Sequence, residues 1–287
     1  MFFEDIDWEQ IWIETLKNNP HEKESQSSVD QWVKRWDDIA EKFSERNMLQ
    51  GSFENECYVK SMLSRIEVNK DSTILDIGSG PGTLSIPLAK RAGHVTAIDM
   101  SKKMVELLEN NVAKEHINNI TVLNKNWEEV QLGKDLEKHD VVIASRSVGG
   151  FNLKNSLLKI IDATEEKAYI SCLAKGNDFD RYVYERVGKK YHFSPTHILI
   201  YNLLYQLGYY ADIDIFTCEG GIIHKNFDEA YSYFKWHMQD LNKKEEEMLN
   251  RALLELFGTQ TPNRHLPKSK WDWALISWSK KVDVIQH

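Results

Sequence analysis

Three glycines at two-residue intervals, framed by acids, are the residues of this sequence whose types and spacing could do chemistry. Residues 74–83 read Ile-Leu-Asp-Ile-Gly-Ser-Gly-Pro-Gly-Thr, an apolar run ending in Gly78, Gly80 and Gly82. Glycine belongs where a backbone turns sharply and lets a ligand come close. The helix expected next offers unpaired N–H groups and the positive end of its dipole. Such a loop suits a nucleotide-like ligand. A second acid, Asp99, closes the apolar run 95–98, 17 residues after Gly82. An ionised carboxylate only accepts hydrogen bonds, through two oxygens, so Asp99 can take both hydroxyls of a ribose.

The dinucleotide fingerprint G-x-G-x-x-G places its third glycine five residues after the first. Thr83 stands there, and the third glycine falls instead at Gly82. Because the fingerprint's third glycine serves close helix packing, this spacing disfavours a nicotinamide dinucleotide. The spacing after Asp76 resembles that of class I S-adenosylmethionine-dependent methyltransferases. That resemblance implies S-adenosyl-L-methionine as the cofactor, cradled by Gly78, Ser79, Gly80 and Gly82. Asp76 would lie near its methionine amino group, Asp99 at its ribose and Met100 against its adenine. Asn126 and Trp127 would meet the adenine edge, and Ser145 and Arg146 would stand where the methyl group is exposed. Trp36 is expected on the cofactor side. Arg146 and Ser145 are the substrate-side candidates, and no general base is named.

The acceptor is constrained by what is missing. After the fourth strand the chain reads Ser145-Arg146-Ser147-Val148-Gly149-Gly150, with no Asn- or Asp-Pro-Pro-Tyr segment. In the family that segment marks enzymes acting on exocyclic amino groups of bases or on glutamine amides. Lys+Arg is 36 against Asp+Glu 44, a net charge of −8. That balance argues against duplex nucleic acid held on a broad basic face, where counterion release needs many cations. The expected activity is methyl transfer to a small molecule. The alternatives are a protein or RNA methyltransferase and a catalytically inactive, cofactor-binding regulatory protein. Arg181, Arg186, Lys189 and Lys190 form a basic stretch, read as a solvated helix face with an anion site as the alternative. His192 and His197 flank a proline without metal-ligand spacing, and no metal is expected.

The elements that position these residues alternate. Short apolar runs at 73–77, 94–98, 120–123, 140–144 and 168–173 are separated by helical patterns at 85–92, 104–116 and 153–162. Such a rhythm predicts a mostly parallel, doubly wound α/β sheet. With strands at 210–216 and 273–279 it has seven strands, the last antiparallel by resemblance to the family. Helices at 194–207, 227–239 and 243–257 are expected after residue 175, the last two as a substrate-side insertion before the final strand. Three units are expected: an N-terminal helical arm (1–54), the cofactor-binding core (55–175) and a C-terminal part (176–287). Residues 1–30 hold eight acids and two lysines, a net of 2 − 8 = −6, with Trp8 and Trp12 on an apolar stripe. This arm is expected to be a mobile lid outside the sheet's core, or a homodimer contact. Three scattered cysteines predict a reducing, cytoplasmic setting. No apolar run has the length of a transmembrane helix.

Overall fold

The computed structural model describes residues 5–17, 29–47, 56–149, 152–176, 178–191, 193–194, 196–219, 226–238, 241–258 and 270–280. The predicted connector at 18–28, and Gly150, His192 and Pro195, lie outside the described residues. Seven strands form one sheet: β1 (Thr73–Ile77), β2 (His94–Asp99), β3 (Ile120–Asn124), β4 (His139–Ser145), β5 (Thr164–Leu173), β6 (Asp212–Glu219) and β7 (Lys270–Ser279). Their order is β3-β2-β1-β4-β5-β7-β6. β1 to β5 pair in parallel, and β7 runs antiparallel to both β5 and β6. The order reverses between β1 and β4, and in open α/β sheets that crevice is where ligands bind.

The central strands are apolar on both faces because both are covered. One face carries Leu75, Ile77, Val142, Ala144, Ala168, Ile170 and Ile276. It is covered by α1 (Trp8–Lys17), α6 (Leu153–Ala163) and α8 (Thr196–Gln206). The other face carries Ile74, Val95, Val141, Ile143, Tyr169 and Leu275 under α3 (Cys57–Leu63) and α4 (Ser85–Ala89). Beside them, α5 (Lys102–Lys114) packs Leu108 on Ile86 and Ala97. The N-terminus of α5 is capped by Ser101, whose side chain accepts from the Met104 N–H.

The first helix departs from expectation. Trp12 and Leu16 are 2% and 3% exposed and belong to the main core. Helix α1 lies on α8 and α6. Glu9 accepts from the backbone N–H of Lys154 at 2.9 Å, and the Gln206 amide donates to the Ile6 carbonyl at 2.7 Å. The apolar stripe carrying Trp12 and Leu16 is thus covered within the chain and is part of the main core, where a position outside the sheet's core was expected. The other half of the arm, α2 (Val29–Asn47), packs on α5 beside the glycine loop.

A third cluster stands apart from the sheet. Helices α7 (Asp178–Val187), α9 (Phe227–Met238) and α10 (Lys243–Phe257) bury Val183, Tyr184, Phe234, Leu249 and Leu253 among themselves. Helix α10 begins with a capping box between Asn242 and Glu245. The basic stretch lies here, and Arg186 pairs with Glu255 at 3.0 Å and Lys189 with Glu245 at 3.8 Å. These two cations face acids of α10, in keeping with a solvated helix face. Cys57 and Cys218, distant in sequence, meet as free thiols between α3 and β6.

Candidate functional site

The glycine loop is held by the neighbouring strand. The N–H groups of Gly78 and Ser79 both donate to the Ile98 carbonyl, at 2.8 and 3.0 Å. Gly80 N–H donates to one oxygen of Asp99 at 2.8 Å, and Ser101 N–H donates to the other at 2.8 Å. Asp99 therefore ties the loop to the turn before α5 before any ligand arrives, and each of its oxygens keeps a lone pair. Burial and the neighbouring Asp37 carboxylate push its carboxyl up, while the two N–H groups pull it down. Asn124 braces the same turn, its amide donating to the carbonyls of Asp99 and Met100.

The glycines divide the work. Gly82 has φ +93°, and a Cβ there would meet Leu108 Cδ1 at 2.4 Å and Ile86 Cδ1 at 2.9 Å. Gly82 thus serves the close packing of the loop against α4 and α5. Gly80 has φ +55°, and the nearest atoms to a Cβ there are Phe43 Cε1 at 3.8 Å and Met104 Sδ at 4.0 Å. The space in front of the loop opens at Gly80. Among the described residues, the buried hydroxyls of Ser79 and Thr83 in this loop have no hydrogen-bond partner.

Asp76 lies beneath the loop, 1% exposed, and accepts from the Ser85 hydroxyl at 2.5 Å. Desolvation raises its carboxyl to about 6, against the Ser85 hydrogen bond and the charge of Arg146. On the far side of Asp99, a cavity of about 360 Å³ is lined by Met100, Asn126, Lys125 and Glu129 and roofed by Val29 and Val33 of α2. The Asn126 side chain also caps the short 3-10 turn Trp127–Glu129. The Trp127 ring points elsewhere: it is 7% exposed in the main core, with the Lys159 ammonium 4.7 Å from its centroid. Its side chain does not line the cavity, which leaves only its backbone for that edge.

Helix α2 runs along this groove. Asp37 accepts from Ser101 Oγ at 2.5 Å and from the Lys103 N–H at 3.2 Å, clamping α2 on the start of α5. Trp36 touches Phe43 edge-on at 5.9 Å and Trp32 at 6.1 Å. Phe43 in turn is the ring nearest Gly80.

Across the sheet's reversal lie Ser145 and Arg146. The Tyr58 hydroxyl, buried with its ring, bonds Ser145 Oγ at 2.7 Å and also Ser171 Oγ. Desolvation raises the Tyr58 phenol. The sequence reading brought Ser145 and Arg146 here but missed Tyr58, Trp273, Asp37, Asn124 and Ser85. None carries a local signal, since a tyrosine or tryptophan in an apolar run reads as core. Among the described residues no group of three or more His, Cys, Asp or Glu gathers as a metal site, and no helix is long and apolar enough to cross a membrane.

Comparison with known proteins agrees with this architecture. Residues 68–193 match the family model described as a methyltransferase domain. An uncharacterized protein of Haemophilus influenzae is 28% identical over 246 residues, 85% of this chain and 88% of that one. A probable ribosomal RNA small subunit methyltransferase A of Methanosphaera stadtmanae is 30% identical over 111 residues, 38% of this chain and 40% of its own length. The structure of coclaurine N-methyltransferase bound to N-methylheliamine and SAH superposes with a TM-score of 0.51 at 15% identity. That match covers 94% of this chain and 88% of the other, and shows the same fold. The match over residues 68–193 and the fold shared with coclaurine N-methyltransferase support a class I, S-adenosylmethionine-dependent methyltransferase domain.

Proposed function

We propose that this enzyme transfers the methyl group of S-adenosylmethionine to a small molecule, with the glycine loop, Asp76 and Asp99 as the cofactor cradle. The cofactor supplies a methyl group already activated by its sulfonium. The residues present fit it: open space at Gly80, two orphaned hydroxyls in the loop and a cavity beyond Asp99. Asp99 keeps one acceptor site per oxygen for a ribose. Met100 and Asn126 line the cavity suited to adenine. Asp76, ionised above about pH 6, offers a negative charge to an ammonium group. The chain's own contribution to the reaction is then alignment and exclusion of water, with α2 as the cover.

The observation that carries the small-molecule reading is that cover. Helix α2 is clamped on the start of α5 by Asp37, over the cavity that Val29 and Val33 line, and rings from α2, α3 and β7 gather around Arg146 on the acceptor side. An RNA acceptor is the second reading, favoured by the ribosomal RNA methyltransferase relative. That likeness spans 38% of this chain and 40% of the relative.

Two measurements test the proposal. Calorimetry should show binding of SAH and none of NAD. Asp99→Ala should weaken SAH at least tenfold, as loss of hydrogen bonds to a charged acceptor costs about 1.5–3 kcal/mol. Unchanged affinity in that variant would sink the ribose assignment. In parallel, methyl-labelled cofactor is incubated with low-molecular-weight and RNA fractions of a cell extract. Label appearing in RNA alone decides for the second reading.

A further inference from the structure

Arg146 is a cation surrounded by rings. Its guanidinium lies 4.4 Å from the centroid of Tyr58, 5.5 Å from Phe43 and 5.7 Å from Trp273. Among the described residues it has no carboxylate at ion-pair distance and no acceptor for any side-chain N–H. Asp76 feels its charge but is hydrogen-bonded to Ser85 beneath the loop. Its backbone is unusual as well: φ is +59°, a conformation that costs a side-chain-bearing residue about 1–2 kcal/mol. The strand end imposes it, with the Arg146 N–H donating to the Ser171 carbonyl at 2.9 Å and Ser147 Oγ to the Ile77 carbonyl at 2.5 Å. Glycine would sit there without strain, and an arginine held there aims a side chain at the mouth.

The rings also give it direction. Tyr58 packs on Trp273 at 4.7 Å and on Phe216 at 6.0 Å, above β7 and β6. The guanidinium thus lies between Trp273 of β7 and Phe43, the ring nearest Gly80, at the junction of the glycine loop with the β5–β7 half of the sheet. Aromatic faces satisfy the flat sides of a guanidinium and shed water from it, while its N–H groups stay available in the plane. A planar fork of donors in a partly dry setting is matched by a carboxylate, which accepts two parallel bonds.

We infer that Arg146, caged by Phe43, Tyr58 and Trp273, is a specificity-determining residue that binds the carboxylate of an acidic small-molecule acceptor. The inference deepens the small-molecule proposal and rests on it. The same chemistry has one other source, the methionine carboxylate of the cofactor, and the test separates the two.

The full-length protein is titrated with benzoate and with benzamide, by calorimetry, both alone and saturated with SAH. Benzoate should bind at least tenfold tighter than its neutral isostere. Arg146→Gln should erase that preference, Arg146→Lys should keep part of it, and SAH affinity should stay within threefold of wild type in both. Equal binding of the two probes by the wild type overturns the inference, and this comparison stands even where a variant fails to fold. A preference that survives in Arg146→Gln also overturns it. A tenfold loss of SAH affinity in Arg146→Gln, with no benzoate preference in the wild type, assigns the arginine to the cofactor instead. Failure of the wild type to bind SAH would count against the cofactor cradle, and the probe comparison without SAH would still decide the role of Arg146.

Discussion

The two halves of the mouth are made of different material. On the β1–β3 side the walls are largely backbone: consecutive N–H groups of the glycine loop, pinned by the Ile98 carbonyl and by Asp99. On the β4–β7 side they are side chains from four distant segments, with Phe43, Tyr58, Arg146 and Trp273 meeting in one cage. Backbone walls depend on turn geometry and tolerate change elsewhere. A cage of side chains can change character by one substitution. That difference suits a site in which one half takes an invariant ligand and the other discriminates.

The sharpest way to break the comparison is within the loop itself. Gly80→Val puts a branched side chain into the open space at φ +55°, and SAH affinity should fall at least a hundredfold in a folded protein. Gly82→Ala drives a methyl into Leu108 and Ile86, so its main effect should be on stability. Overpacking of that kind costs about 1–3 kcal/mol, read as a lowered melting temperature. If instead Gly82→Ala melts normally and Gly80→Val binds normally, the division of labour between the two glycines is wrong.

A smaller effect comes from Asp76, whose carboxyl is raised to about 6 by burial. An acid with a raised folded pKa lets the folded state take the proton first as pH falls. The stability it contributes is therefore full below about pH 4 and is lost as pH rises through about 6. Binding has the opposite sign, because only the ionised form attracts an ammonium group. SAH affinity should drop as pH falls below about 6, and Asp76→Asn should flatten that profile. The same variant should melt higher than wild type at pH 8, with the gain shrinking toward pH 4. A pH-independent difference in melting would remove Asp76 from this account.

Asp37→Ala should act more weakly. It deletes the clamp between α2 and the start of α5, with a cost in stability of about 1 kcal/mol, as for other helix-terminus acceptors. SAH affinity should fall several-fold, and tryptophan fluorescence from Trp32 and Trp36 should change less on binding than in wild type. The smallest effect belongs to Arg186→Ala. Its partner Glu255 is exposed, so stability should move by no more than about 0.5 kcal/mol and methyl transfer not at all. Loss of activity there would bring the third helical cluster into the site.

What the residues alone determined is what local rules govern. The apolar runs 73–77 and 94–98 read as buried strands, and the glycines between strand and helix as a tight, close-approach turn. Asp99 was legible because it closes one of those runs. Tertiary packing decided the rest, because it depends on which faces meet across a hundred residues or more. The stripe of Trp12 and Leu16 signals only that something covers it, and only the fold makes that cover α8 and α6. Trp127 follows the third strand as an adenine contact would, yet the turn at Asn126 sends its ring into the core. Helix α7 was legible only as a basic helix face at Arg181 and Arg186, and packing decided that its apolar side meets α9 and α10. Tyr58 and Trp273 are 215 residues apart, 273 − 58, so no spacing rule could join them. Their rings meet over Arg146 because β7 inserts beside β5 and α3 lies across that edge of the sheet.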